Sequence, residues 1–162
     1  MVDQPSLRER ALAALETVTD PEIPVLTIAD LGVLRDVSVH GDVVEVTITP
    51  TYSGCPAMNM IMLDIETALA QANVKARVHT RLSPAWTTDW LSEAARRKLA
   101  AFGIAPPEHI VSRRALFGEE HPVCPRCGSA DTELISEFGS TACKSLHRCR
   151  ACREPFDAFK CH

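Results

Sequence analysis

The chain has 162 residues, enough for one hydrophobic core and a small appendage. Its 46% hydrophobic and 23% charged residues are those of an ordinary globular protein, and no apolar run approaches the ~20 residues that a membrane helix needs. A net charge of -4 gives no general reason to expect a nucleic-acid partner.

The acidic excess is local: residues 1–85 carry 6 Lys+Arg against 11 Asp+Glu, 86–120 carry 5 against 5, and 121–162 carry 6 against 5. Met1-Val2-Asp3-Gln4-Pro5 has neither the basic nor the apolar region of a signal peptide, so the expected compartment is the cytoplasm. Ser6-Leu7-Arg8-Glu9 reads as a capping box opening a helix over 7–18, with Leu7, Ala11, Leu15 and Val18 as its apolar stripe. Two prolines in Asp20-Pro21-Glu22-Ile23-Pro24 stop that helix and leave two carboxylates on a stiff loop, where a solvated turn with Asp20 hydrogen-bonding locally is the plain expectation. Residues 33–49 read as a hairpin turning at Gly41-Asp42, with Val44-Glu45-Val46-Thr47-Ile48 alternating as a half-buried strand should.

Thr51-Tyr52-Ser53-Gly54-Cys55-Pro56 then converts strand into helix. Ile61, Ile65, Ala68, Leu69 and Ala72 share one face of a helix over 57–73, Pro56 suits its first position, and Cys55 falls at or next to the N-cap. Unpaired N–H groups and the helix dipole at that end favour a thiolate, which can bind metal or attack an electrophile; a small cysteine filling a gap is the bland alternative. A strand over 75–82 follows, with Ala76, Val78, Thr80 and Leu82 on one face. The order αββαβ predicts a two-layer α/β (α+β) domain, helices on one face of a mixed sheet, with the last two strands parallel through a right-handed crossover.

After Ser83-Pro84, residues 86–120 read as a helical linker. Thr87 or Thr88 caps a helix reaching Phe102; Trp86 and Trp90 serve docking or core, and Arg96-Arg97-Lys98 lies on a solvated face. Val111 to Gly118 carries no assignable pattern. Six of the seven cysteines fall in the last 39 residues, a local cluster that in a reducing compartment points to metal rather than disulfides. Cys124-Pro-Arg-Cys127 and Cys149-Arg-Ala-Cys152, 21 residues apart, suit two knuckles that close tetrahedral Cys₄ coordination in a zinc ribbon over 121–162, built on strands at 132–136 and 145–148. Four thiolates leave no open position, which argues for a structural ion; iron in the same cage is the alternative. Cys143 and Cys161, with His162, either hold an additional labile metal or are free thiols.

Asp20-Pro21-Glu22-Ile23-Pro24-Val25, Ile28-Ala29-Asp30-Leu31-Gly32 and Thr51-Tyr52-Ser53-Gly54-Cys55-Pro56-Ala57 resemble the motifs of the SufT-like iron–sulfur assembly family. Trp86-Thr87-Thr88-Asp89-Trp90, Gly103-Ile104-Ala105-Pro106-Pro107, Phe138-Gly139-Ser140-Thr141-Ala142-Cys143-Lys144 and the ending Glu154-Pro155-Phe156-Asp157-Ala158-Phe159-Lys160-Cys161-His162 extend the resemblance to the PaaD subunits of phenylacetyl-CoA epoxidase systems. The resemblance implies a non-catalytic accessory subunit in aerobic phenylacetate degradation that aids delivery of iron or an iron–sulfur cluster to the oxygenase or to its iron–sulfur flavin reductase. It implies Cys55 as transient metal or cluster ligand, with Asp20, Glu22 and Thr51 beside it, and a homodimer as one way to complete a cluster's ligands. Neither paired Glu-x-x-His motifs nor a dinucleotide-binding glycine fingerprint is present to do the redox chemistry itself. A docking subunit that transfers no metal, and an enzyme using Cys55 as nucleophile with His79 as base, are the competing readings.

Overall fold

The computed structural model describes residues 5–108 and 121–160, which divide into two units, Met1–Trp86 and Thr87–His162. Val111 to Gly118, Cys161 and His162 lie outside the described residues.

The first unit runs α1 (Leu7–Leu15), β1 (Leu34–His40), β2 (Val43–Ile48), α2 (Ala57–Gln71), β3 (Lys75–Thr80). The capping box closes α1 reciprocally: the Glu9 N–H donates to Ser6 Oγ at 3.3 Å and the Ser6 N–H to Glu9 Oε2 at 2.7 Å. The helix ends three residues sooner than its apolar stripe, at Glu16, where Thr17 Oγ1 donates to the Ala14 carbonyl at 2.7 Å. The sheet order is β1-β2-β3, with β1 antiparallel and β3 parallel to the central β2, as the crossover rule requires. Val44, Val46 and Ile48 of β2 and Ile61, Ile65 and Leu69 of α2 are all fully buried. Each such side chain contributes about 1.5–3 kcal/mol on leaving water. β3 is an edge strand and stops at Thr80; Leu82 is 64% exposed, so the apolar face read through it ends early. Trp86 is buried, its Nε1–H donating to the Leu31 carbonyl at 2.8 Å.

The second unit holds a 3₁₀ turn (Thr88–Trp90), α3 (Glu93–Ala101), β4 (Ile104–Ala105), β5 (Thr132–Ser136), β6 (Lys144–Cys149) and β7 (Pro155–Phe159). Three sequence readings change here. The helix is capped by Ser92, whose Oγ accepts from the Ala95 N–H at 2.9 Å, because 88–90 forms its own tighter turn. Arg96 is buried rather than solvated: its guanidinium donates to the Thr88 carbonyl at 2.9 Å and to the Pro107 carbonyl, tying the turn to the strand's far side. The stretch read as a helical linker also joins the ribbon, since β4 pairs parallel with β7 in the sheet β4-β7-β6-β5. Ala105 packs with Cys124, Cys149, Phe156 and Ala158 in that sheet's small core.

Candidate metal centre and cysteine turn

The two knuckles of the ribbon are built alike. The Cys124 N–H donates to the Ser129 carbonyl at 2.9 Å, and the Cys149 N–H to the Glu154 carbonyl at 3.0 Å, each closing the same six-residue turn. The residue after the second cysteine of each pair is left-handed, Gly128 at φ 75° and Arg153 at φ 65°. The turns bring Sγ of Cys124, Cys127, Cys149 and Cys152 within 4.8 Å of one another, with Cys124···Cys152 at 3.8 Å and Cys127···Cys149 at 3.5 Å. Four sulfurs at a zinc–sulfur bond of ~2.3 Å in a tetrahedron stand about 3.8 Å apart, so this cage takes such an ion with small side-chain adjustments. Cys124 and Cys149 are buried while Cys127 and Cys152 are exposed, so the cage opens at the surface. The Cys149 thiol is lowered to about 7, first by the Cys152 N–H that points at its sulfur.

Cys143 is not part of this cage. It is buried beside Thr141, with Oγ1 3.0 Å from its sulfur, and its carbonyl accepts from the Lys160 N–H at 3.0 Å. His147 was not singled out from sequence; it is buried on β6, 2.9 Å from Ser145 Oγ and stacked on Phe156. Burial, and then the charge of His121, pull its pKa down. Its alternation in phase with Cys149 was the available signal.

In the first unit Cys55 stands just before the helix. Pro56 is the N-cap, one place before the first helical position read for it, with its backbone already helical, and Cys55 is next to the N-cap as expected. Gly54 takes φ 86°, a turn only glycine enters freely, and the Cys55 N–H donates to the Tyr52 carbonyl at 3.3 Å. The thiol is half-buried. It sits among the Ala57 N–H, the Thr51 side chain, Glu22 and Asp20. The expected thiolate is not what this environment favours. Burial pushes the thiol up; hydrogen bonding from Ala57 and Thr51 pulls it down; the nearby charges of Glu22 and Asp20 push it up again, and the net shift is upward. Alkylation of Cys55 should therefore titrate at higher pH than free cysteine, checked by mass-spectrometric rates of iodoacetamide labelling across pH.

Asp20 makes the local hydrogen bonds expected of it, but buried rather than in a solvated turn. Its Oδ1 accepts from the Glu22 N–H at 2.7 Å and the Ile23 N–H at 2.9 Å, while its own N–H donates to the Leu26 carbonyl at 2.9 Å. Ile23 and Leu26 anchor this closed loop in the core, and Glu22, half-exposed on it, is near enough for its charge to act on the Cys55 thiol. His79, the base considered for a nucleophilic Cys55, instead lies 3.9 Å from Glu45 across the sheet, and Glu45 also meets His40 at 3.7 Å.

Residues 8–79 match a family model described as iron-sulfur cluster assembly protein, and residues 109–160 one described as PaaD zinc beta ribbon domain. A protein of Bacillus subtilis (strain 168) named as an Fe-S protein maturation auxiliary factor is 38% identical over 94 residues, 56% of this chain and 91% of that one. The crystal structure of a domain of unknown function, DUF59, from Bacillus anthracis superposes with TM-score 0.53 at 28% identity, covering 57% of this chain and 91% of that one. A protein of Escherichia coli (strain K12), provisionally named as one of the subunits of 1,2-phenylacetyl-CoA epoxidase, is 50% identical over 150 residues, 92% of this chain and 90% of that one. With both units matched in one relative along nearly its whole length, the chain belongs to the PaaD family of phenylacetyl-CoA epoxidase subunits.

Proposed function

We propose that the chain is an accessory subunit of a phenylacetyl-CoA epoxidase system and hands iron or an iron–sulfur cluster to the partner that uses it, the iron–sulfur flavin reductase first. The observation that carries this is the half-buried Cys55 thiol on a strand-to-helix turn with Thr51, Glu22 and Asp20 around it. A thiol kept protonated at rest holds cargo weakly until it ionises, which suits a carrier better than a permanent site. The carboxylates supply the negative charge that attracts a metal cation, and the Ala57 N–H steadies the sulfur once it has lost its proton. One cysteine cannot complete a cluster, so the acceptor protein, a second copy or a free thiol supplies the rest.

The ribbon has a different task. Cys124, Cys127, Cys149 and Cys152 hold zinc, which supplies folding energy and no chemistry, because four thiolates fill its coordination.

The test is Cys55→Ala in a host making the whole epoxidase system. The variant should fold and retain its ribbon metal, while the purified reductase loses iron and sulfide by about tenfold or more. Fully loaded reductase and full epoxidase activity would overturn the carrier reading. Undiminished co-purification with the oxygenase in that case would favour a docking role.

A further inference from the structure

The ribbon carries a second feature that the metal cage does not use. An open cleft of about 320 Å³ lies against the second knuckle, lined by Arg148, Cys149, Arg150 and Arg153. Arg148 gives its Nε–H to Glu133 Oε1 at 2.7 Å and a second N–H to the same oxygen, and Arg150 gives its Nε–H to Glu133 Oε2 at 3.2 Å. Asp131 Oδ1 lies 3.6 Å from Arg150 Nη1. A guanidinium has five N–H donors, so both arginines keep donors free while their planes are held by the shared carboxylate. The Arg148 guanidinium holds the Glu133 carboxyl below the usual carboxylate range, so that anchor stays ionised.

Arg153 is different. It makes no ion pair or side-chain hydrogen bond among the described residues, and its backbone is left-handed at φ 65°. The matching position of the first knuckle is Gly128 at φ 75°, the residue that takes this conformation without steric cost. The second knuckle thus places a side chain that fits the turn poorly where glycine would do, and that side chain, a cation without a partner among the described residues, lines a cleft with two braced guanidiniums. Strain of this kind, found rather than assumed, points to a use.

We propose that this cleft is an anion site for a small phosphate-bearing molecule, with Arg148 and Arg150 as the fixed floor and Arg153 as the adjustable clamp. Planar guanidiniums match phosphate oxygens two at a time, and the open cleft is roomy enough to admit a diphosphate. A plainer duty is available to these arginines. Four thiolates outweigh one divalent cation, so the loaded cage is anionic and Arg153 could serve as its counter-charge. The experiment must separate the two.

Metal-loaded full-length chain is titrated with inorganic diphosphate by calorimetry, and the Arg153→Gly variant is titrated alongside. The wild type is expected to bind, less tightly as salt rises, and the variant to bind at least about tenfold more weakly, a difference one charge-assisted contact accounts for. Because the substitution restores the first knuckle's own residue, metal retention against a chelator should be unchanged. Orthophosphate and coenzyme A identify the source. Coenzyme A binding more tightly than diphosphate assigns a nucleotide-type ligand, and equal binding of all three assigns a simple phosphate site. No binding at millimolar diphosphate, equal binding by Arg153→Gly, or equally tight binding of poly-glutamate would overturn the proposal. Faster metal loss from the variant, with diphosphate affinity unchanged, would give Arg153 the counter-charge role instead.

Discussion

Removing the metal is expected to unfold the second unit while the first stays native. The sheet β4-β7-β6-β5 closes on a few buried apolar residues, Ile104, Ala105, Phe156, Ala158 and Phe159, with Cys124 and Cys149 of the four-cysteine cage packed among Ala105, Phe156 and Ala158. So little apolar area cannot offset the entropy of ordering the chain. An ion bound by four thiolates supplies about 10–16 kcal/mol at neutral pH, far more than this core can. A strong chelator, or Cys149→Ser, should therefore collapse the amide dispersion of residues 121–160 in a two-dimensional NMR spectrum. Resonances of 7–80, whose core owes nothing to metal, should not move. Mild acid should do the same, because thiols must lose protons to bind and regain them as pH falls. A chelated chain that keeps its dispersed ribbon signals would show that the sheet stands by itself.

The next largest effect is expected at Asp20. Replacing it with alanine strands the Glu22 and Ile23 N–H groups, both now donating to Oδ1 inside the protein. Leaving one buried and one part-buried donor unmet should cost about 1–3 kcal/mol of unfolding free energy. Asp20→Asn keeps an oxygen acceptor at the same place and should recover about half or more of that loss by denaturant titration. The two variants agree on a second readout. Each removes a negative charge near Cys55, so each should bring the thiol's titration down and speed its alkylation at neutral pH. If Asp20→Asn is as unstable as Asp20→Ala, the carboxylate's charge rather than its geometry holds the loop. If alkylation does not quicken in either, Asp20 is not electrically coupled to the sulfur.

What was legible beforehand had local signatures. The capping box of α1, the alternation of β2, the four-residue repeat of α2 and the two C-x-x-C pairs each occupy one short stretch, and each formed. What escaped depends on contacts far along the chain. β4 is two residues long and exists only because β7 lies beside it, more than fifty residues later. Arg96 belongs to a basic triplet by sequence, yet two carbonyls at positions 88 and 107 draw it inside. The helix start at 57 argues for a thiolate at Cys55, but burial and two carboxylates from a loop some thirty residues upstream outweigh it. Local pattern located the cysteine; distant neighbours decide its protonation.

The parallel pairing of Ile104–Ala105 with β7 bears on how the protein can be cut. A fragment begun at residue 109, where the ribbon family model starts, loses that outer rail and with it the wholly enclosed methyl of Ala105. The backbone edge of β7 would then lie bare, an invitation to sticking between copies. A faithful excision has to begin upstream of the 3₁₀ turn, near Thr87.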